Sequence, residues 1–191
     1  VSPIIFCDLI DKITPVETHQ VEEILPYVIE FRRDLFPTLD PTIVPKDLLN
    51  FISNYIESQT GIFLQARDEN SKIIGVIGMM PFDYRFPHLS VGKEKTVEVA
   101  RLFVEPAYRR FGLGTQLFQE LEKQAHQKNI HRLYLHTHPS LPGAYEFWLK
   151  QGFDLMMFCE ESNFPTYHMQ KEIGTIELKN NISQNENIFH V

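Results

Sequence analysis

At 191 residues, 43% hydrophobic and 12% aromatic, the chain has material for one sizeable core, which argues against global disorder. Its 25 acidic residues against 18 basic ones give a formal net charge of −7, which argues against nucleic-acid binding and mildly favours cationic partners. Cys7 and Cys159 form no C-x-x-C pair, no apolar run reaches the roughly 18 residues of a membrane span, and no signal peptide is visible at the start. The expected setting is therefore cytoplasmic, with no membrane partner.

Pro3 to Ile10 reads as a first strand. Glu17 to Leu35 has a helical period, with Val21, Ile24, Leu25, Val28, Ile29 and Phe31 on or near one face. A loop through Phe36-Pro37-Thr38-Leu39-Asp40 leads to a second helix from about Pro45, carrying Leu48, Leu49, Ile52, Tyr55 and Ile56. Ile62–Ala66 and Ile73–Met80 form a hairpin around Arg67–Ser71, and residues 81–94 make a long polar and aromatic connection. The β-α-α-β-β-β order suits an α+β fold and not a regular βαβ repeat.

The stretch from Val97 to Lys128 organises the rest. A strand turns at Glu105-Pro106-Ala107-Tyr108 and passes through Arg109-Arg110-Phe111-Gly112-Leu113-Gly114 into an amphipathic helix, buried along Leu117, Phe118, Leu121 and Ala125. Strand, glycine turn and helix start together make an anion-binding device, because the first N–H groups and the helix dipole both favour a phosphate. A dinucleotide fingerprint fails at Leu117, and no Gly-Lys pair follows for a P-loop. After this helix come a strand at His131–Thr137, a short helix at Gly143–Gln151, and two closing strands at Phe153–Glu160 and Tyr167–Ile173.

Arg109-x-x-Gly112-x-Gly114, preceded by Val104-Glu105-Pro106 and followed by Leu133-Tyr134-Leu135 and Gly152-Phe153, resembles the GNAT superfamily of acyl-CoA-dependent N-acetyltransferases. The resemblance is good from Thr96 to Lys171 and is only a matching layout before that. It implies an α+β fold with a central mixed, mostly antiparallel sheet of about seven strands flanked by helices. One GNAT-like domain would span residues 1–173, with a polar extension at 174–191. That extension reads as a weakly ordered tail; the alternative lays Ile176, Leu178, Ile182, Ile188 and Phe189 against a second subunit of a homodimer. The implied activity is direct acetyl transfer from acetyl-CoA to a primary amine in a ternary complex. The alternative is an acyl-CoA-binding sensor or structural protein without turnover.

The resemblance also distributes roles. The pyrophosphate would sit on Arg109, Arg110, Phe111, Gly112, Leu113, Gly114 and Thr115. The pantetheine arm would run between Phe103-Val104 and the strand ending at Thr137, with Trp148 on the cleft wall and the Leu102 N–H facing the acyl oxygen. Glu98 aligns with the family's general base. Alternation groups it with Ala100, Leu102 and Val104, and leaves Val97, Val99, Arg101 and Phe103 on the other face. A lone acid on an apolar strand face must be paired or protonated. Burial would raise its pKa toward a useful range, whereas the competing reading is a buried ion pair with an arginine. The family's usual acid, a tyrosine, is replaced by Trp148, leaving Tyr145 as the nearest alternative hydroxyl. The acceptor, a small cationic amine or a peptide amine, is expected among Phe36, Tyr84, His136 and Glu160. His136 and His138 lack a third ligand at metal spacing, so no metal is expected.

Overall fold

Seven strands form one sheet in the order β1-β2-β3-β4-β5-β7-β6 in the computed structural model, which describes residues 13–92, 94–160 and 164–174. The strands are β1 (Ile13–Pro15), β2 (Ile62–Arg67), β3 (Ile73–Pro81), β4 (Thr96–Val104), β5 (Arg132–Thr137), β6 (Asp154–Cys159) and β7 (Thr166–Glu172). Every neighbouring pair is antiparallel except β4–β5. The mixed, mostly antiparallel α+β sheet of the sequence reading is therefore what forms, although its edge strand is Ile13–Pro15. The expected strand at Pro3–Ile10, Cys7 and the extension beyond Gly174 lie outside the described residues.

Helices cover both faces. On one, α3 (Leu113–Gln127) and α4 (Ala144–Lys150) bury Leu117, Phe118, Leu121 and Trp148 against Leu64, Ile77, Val97, Val99, Leu133 and Leu135. On the other, α1 (Val21–Leu35), α2 (Lys46–Leu49) and a π-helical turn at Ile52–Ile56 bury Ile24, Val28, Phe31, Leu48 and Tyr55 against Phe63, Ile73 and Val76. The second helix expected from Pro45 is thus two short pieces. The connection after β3 is not a loose loop, since Phe82 and Leu89 are buried with Tyr134 in a third, smaller cluster.

One irregularity decides the site. Val76 pairs with Phe103 and Gly78 with Ala100, so Arg101 and Leu102 together face Ile77 in a β-bulge. Arg101 takes the extra residue's left-handed conformation, with φ 61°. The bulge breaks the expected alternation of β4. Leu102 and Val104 pack with Val97 and Val99 toward α3, whereas Phe103 packs toward α1. Arg101, expected on the other face from Glu98, turns instead to the α1–α2 side, where Asp47 accepts from its Nε at 2.9 Å and its Nη2 at 2.6 Å.

Candidate active site

The parallel pairing of β4 with β5 runs from Thr96↔Arg132 to Glu98↔Tyr134 and then stops, although both strands continue. Past that point they diverge and open a cleft of about 740 Å³, a volume suited to a small-molecule ligand. Ala100 to Val104 line one wall and Leu135 to His138 the other, and the start of α3 closes the floor. Splayed strands leave backbone hydrogen-bonding groups facing the gap, where an extended polar chain can satisfy them.

The glycine turn sits on this cleft. Gly112 is the N-cap of α3 with φ 86°, a left-handed dihedral that glycine adopts without strain. It offers no capping side chain, so the first N–H groups of α3 are left for a ligand. Gly112, Leu113, Gly114 and Thr115 all line the cleft. A Cβ on Gly114 would make only ordinary contact, 3.6 Å from Phe147. Arg109 and Arg110 line it too, and Arg109 Nε donates to Val104 O at 2.8 Å, tying the turn to the end of β4. Phe111, 55% exposed, lies outside the lining.

Glu98 is 1% exposed and does not line the cleft. Arg85, reaching in from the β3–β4 connection, donates to both of its carboxylate oxygens, Nη1 to Oε2 at 2.6 Å and Nη2 to Oε1 at 2.7 Å. His136 Nδ1 lies 3.1 Å from Oε1, close enough for an ion contact though not aligned as a hydrogen bond. Burial works to raise the Glu98 pKa, but His136 and the Arg85 guanidinium outweigh it and hold it at about 2. The expected upward shift is therefore reversed, and the ion pair with an arginine is what forms. His136 itself lines the cleft, so the chain presents an imidazole where the sequence pointed to a carboxylate.

Other predicted positions divide cleanly. Phe36, Leu102, Phe103, Val104, His136, Thr137 and Trp148 line the cleft. Trp148 is 7% exposed and packs edge-on against Phe118 and Phe153, so it joins the core to the cleft wall. Tyr145 lies outside the lining, stacked on Tyr167 with centroids 4.5 Å apart. Tyr84 (55% exposed, φ 55°) and Glu160 are also outside it. At the end nearest the α1–α2 loop, Phe36, His138 and Phe164 form an aromatic group. Arg32 lines that end and makes no ion pair within 4.0 Å among the described residues. Among the described residues the lining holds one carboxylate, Asp47, which Arg101 already occupies.

Arg32 and Asp47 were not singled out from the sequence. Arg85 fell in the Tyr84–His88 segment expected at the acceptor pocket, and instead it pairs with Glu98, 13 positions away across a loop.

Set against known proteins, residues 25–153 match the model of the Acetyltransferase (GNAT) family, and the chain belongs to that family. Among curated protein sequences none is significantly similar to it. A GNAT-family acetyltransferase from Staphylococcus aureus Mu50 superposes with TM-score 0.63 at 20% identity, over 84% of this chain and 97% of that one. Spermidine N-acetyltransferase from Vibrio cholerae, solved with CoA and spermine, gives 0.62 at 15% identity, over 85% and 96%. A phosphinothricin acetyltransferase from Sinorhizobium meliloti, solved with acetyl-CoA, gives 0.64 at 18% identity, over 85% and 88%. At these identities the likeness is one of fold. No helix among the described residues is long and apolar enough to cross a membrane.

Proposed function

We propose that the protein transfers the acetyl group of acetyl-CoA to a primary amine by direct attack in a ternary complex. The observation that carries this reading is the β4–β5 cleft itself, with a left-handed glycine turn on its floor and His136, backed by Glu98, on its wall. Acetyl-CoA supplies an activated thioester carbonyl. The first turn of α3, with Arg109 and Arg110, takes the pyrophosphate. Residues Phe103–Val104 and Leu135–Thr137 hold the pantetheine arm, and the Leu102 N–H polarises the acyl oxygen.

His136 accepts the proton that the amine gives up as its nitrogen bonds to the acyl carbon and the C–S bond breaks. Glu98 is a positioning residue: ionised and clamped by Arg85, it orients the His136 ring, whose Nδ1 lies 3.1 Å from its Oε1. The departing sulfur leaves as a thiolate, which needs no strong acid. The indole of Trp148 is no practical proton source, and Tyr145 is engaged with Tyr167 away from the cleft. The acceptor lies among Phe36, His138, Phe164 and Arg32. With Asp47 paired to Arg101 and Arg32 making no ion pair within 4.0 Å among the described residues, this end favours a small amine or peptide amine on an apolar or carboxylate-bearing body over a polycation.

The lack of a hydroxyl acid at Trp148 is the one observation favouring the alternative, an acyl-CoA-binding protein without turnover. Free-thiol release from acetyl-CoA across a panel of primary amines separates the two. Amine-dependent release is expected. CoA binding without any amine-dependent release would leave the alternative standing, and loss of CoA binding altogether would overturn both.

A further inference from the structure

Three soft donors meet beside this machinery without being part of it. His88 comes from the β3–β4 connection, Cys159 from the end of β6, and His168 from β7. Their ligand atoms all lie within 4.8 Å of one another. Cys159 Sγ is 3.7 Å from His88 Nε2. Tetrahedral zinc, with bonds of about 2.3 Å to sulfur and about 2.0–2.1 Å to nitrogen, sets these two atoms about 3.5 Å apart. One edge of a coordination tetrahedron is thus nearly at its required length, and the other two donor pairs lie within 4.8 Å.

A thiol–imidazole contact alone would account for two of these residues but not for the convergence of the third. His168 is buried, and its Nδ1 lies 2.7 Å from the hydroxyl of the fully buried Tyr134. With Nδ1–H given to that hydroxyl, Nε2 keeps a free lone pair, the arrangement by which an outer-shell partner orients a histidine ligand. The charges facing the cluster also permit a cation. Arg85 is the nearby permanently charged group, and Glu98 and Asp83 neutralise it; His136 and His138 also face His168. The donor set is one sulfur and two imidazoles with no carboxylate, which selects zinc-class metals over magnesium or calcium.

We infer that His88, Cys159 and His168 form a binding site for a divalent cation of the zinc class, with a fourth position open to water. Metal binding releases the Cys159 proton, because the ligand is the thiolate. It fastens the β3–β4 connection, three residues from Arg85, to the β6–β7 edge. The sequence spacing hides such a site, since the ligands stand 71 and 9 residues apart and come from three elements.

Cobalt(II) titration of the chelator-treated, tag-free chain tests this directly. One equivalent should bind with the visible bands of tetrahedral cobalt and a near-ultraviolet sulfur-to-cobalt band, and zinc should displace it. Cys159→Ser should abolish the sulfur band, and His88→Ala, at an exposed position that leaves folding intact, should weaken binding by more than about tenfold. His126→Ala, remote in sequence from all three donors, should bind as wild type. Octahedral cobalt only, or equal binding by wild type, Cys159→Ser and His88→Ala, would overturn the assignment. Zinc should raise the melting temperature of wild type but not of Cys159→Ser, and an equal rise in both counts against it.

Discussion

On the proposed function the glycine turn and the Glu98 cluster serve one cleft, but they are built in opposite ways. The turn takes its residues from one unbroken stretch, Arg109 to Thr115, and works through backbone N–H groups and a left-handed dihedral. The cluster draws Arg85, Glu98 and His136 from a loop and two strands, and works through side chains that neutralise one another. A backbone device tolerates changes around it but not a charge placed on it. A side-chain cluster fails when any one member leaves, because the charge left behind is buried.

The largest expected effect falls on the cluster. His136→Asn should lower kcat by roughly 10²–10⁴-fold, the usual worth of a general base, while calorimetric CoA affinity stays at the wild-type value. The turn should show the reverse. Gly114→Asp should weaken CoA binding on the order of 100-fold or more, since a like charge facing a bound anion costs several kcal/mol. Its melting temperature should stay near wild type, because a Cβ there meets only ordinary contacts. Equal CoA affinity in a folded Gly114→Asp would remove the turn from the binding site.

Arg85→Gln sharpens the contrast through stability. It strips Glu98 of its bidentate partner and should cost about 1–3 kcal/mol in chemical denaturation, less than for a fully buried pair because Arg85 is 35% exposed and His136 still faces the carboxylate. Acid should act on the same pair. The Glu98 pKa is depressed from 4.5 to about 2 in the folded chain, so its contribution is present above pH about 4.5 and is lost as pH falls through about 2. Stability of wild type should therefore rise with pH between those values, and the rise should be smaller in Glu98→Gln. The smallest effects belong to the residues that take the place of the family's acid. Trp148→Phe should cost about 1 kcal/mol through lost packing and leave kcat within about twofold, and Tyr145→Phe should leave kcat unchanged.

The same contrast explains what could be read from the sequence. Hydrophobic periods marked α1, α3 and the strands from β2 onward, because burial on one face writes itself into residue order. The turn was legible for the same reason, being contiguous. The β4 bulge was not, since two residues facing one partner leave no mark in a strand's composition, and it sent Arg101 to the other side. Burial of Glu98 followed from its apolar surroundings, but the sign of its pKa shift depended on His136, across from it on β5, and on Arg85, which a loop of unreadable conformation delivers. Tyr84 and Glu160 were proposed for the acceptor because their loops are aromatic and acidic, and folding turns both away from the cleft lining.

A double-mutant cycle on Glu98 and His136 tests the central claim, that the acceptor's proton leaves through His136 while Glu98 acts only through it. Single-turnover rates at saturating acetyl-CoA and amine would be compared for wild type, Glu98→Gln, His136→Asn and the double variant, with melting temperatures as the check on folding. Strong non-additivity is expected: Glu98→Gln slows the wild type but adds little to the defect of His136→Asn. Additive losses, or a folded His136→Asn that turns over at the wild-type rate while Glu98→Gln does not, would contradict it and return the role of base to the carboxylate.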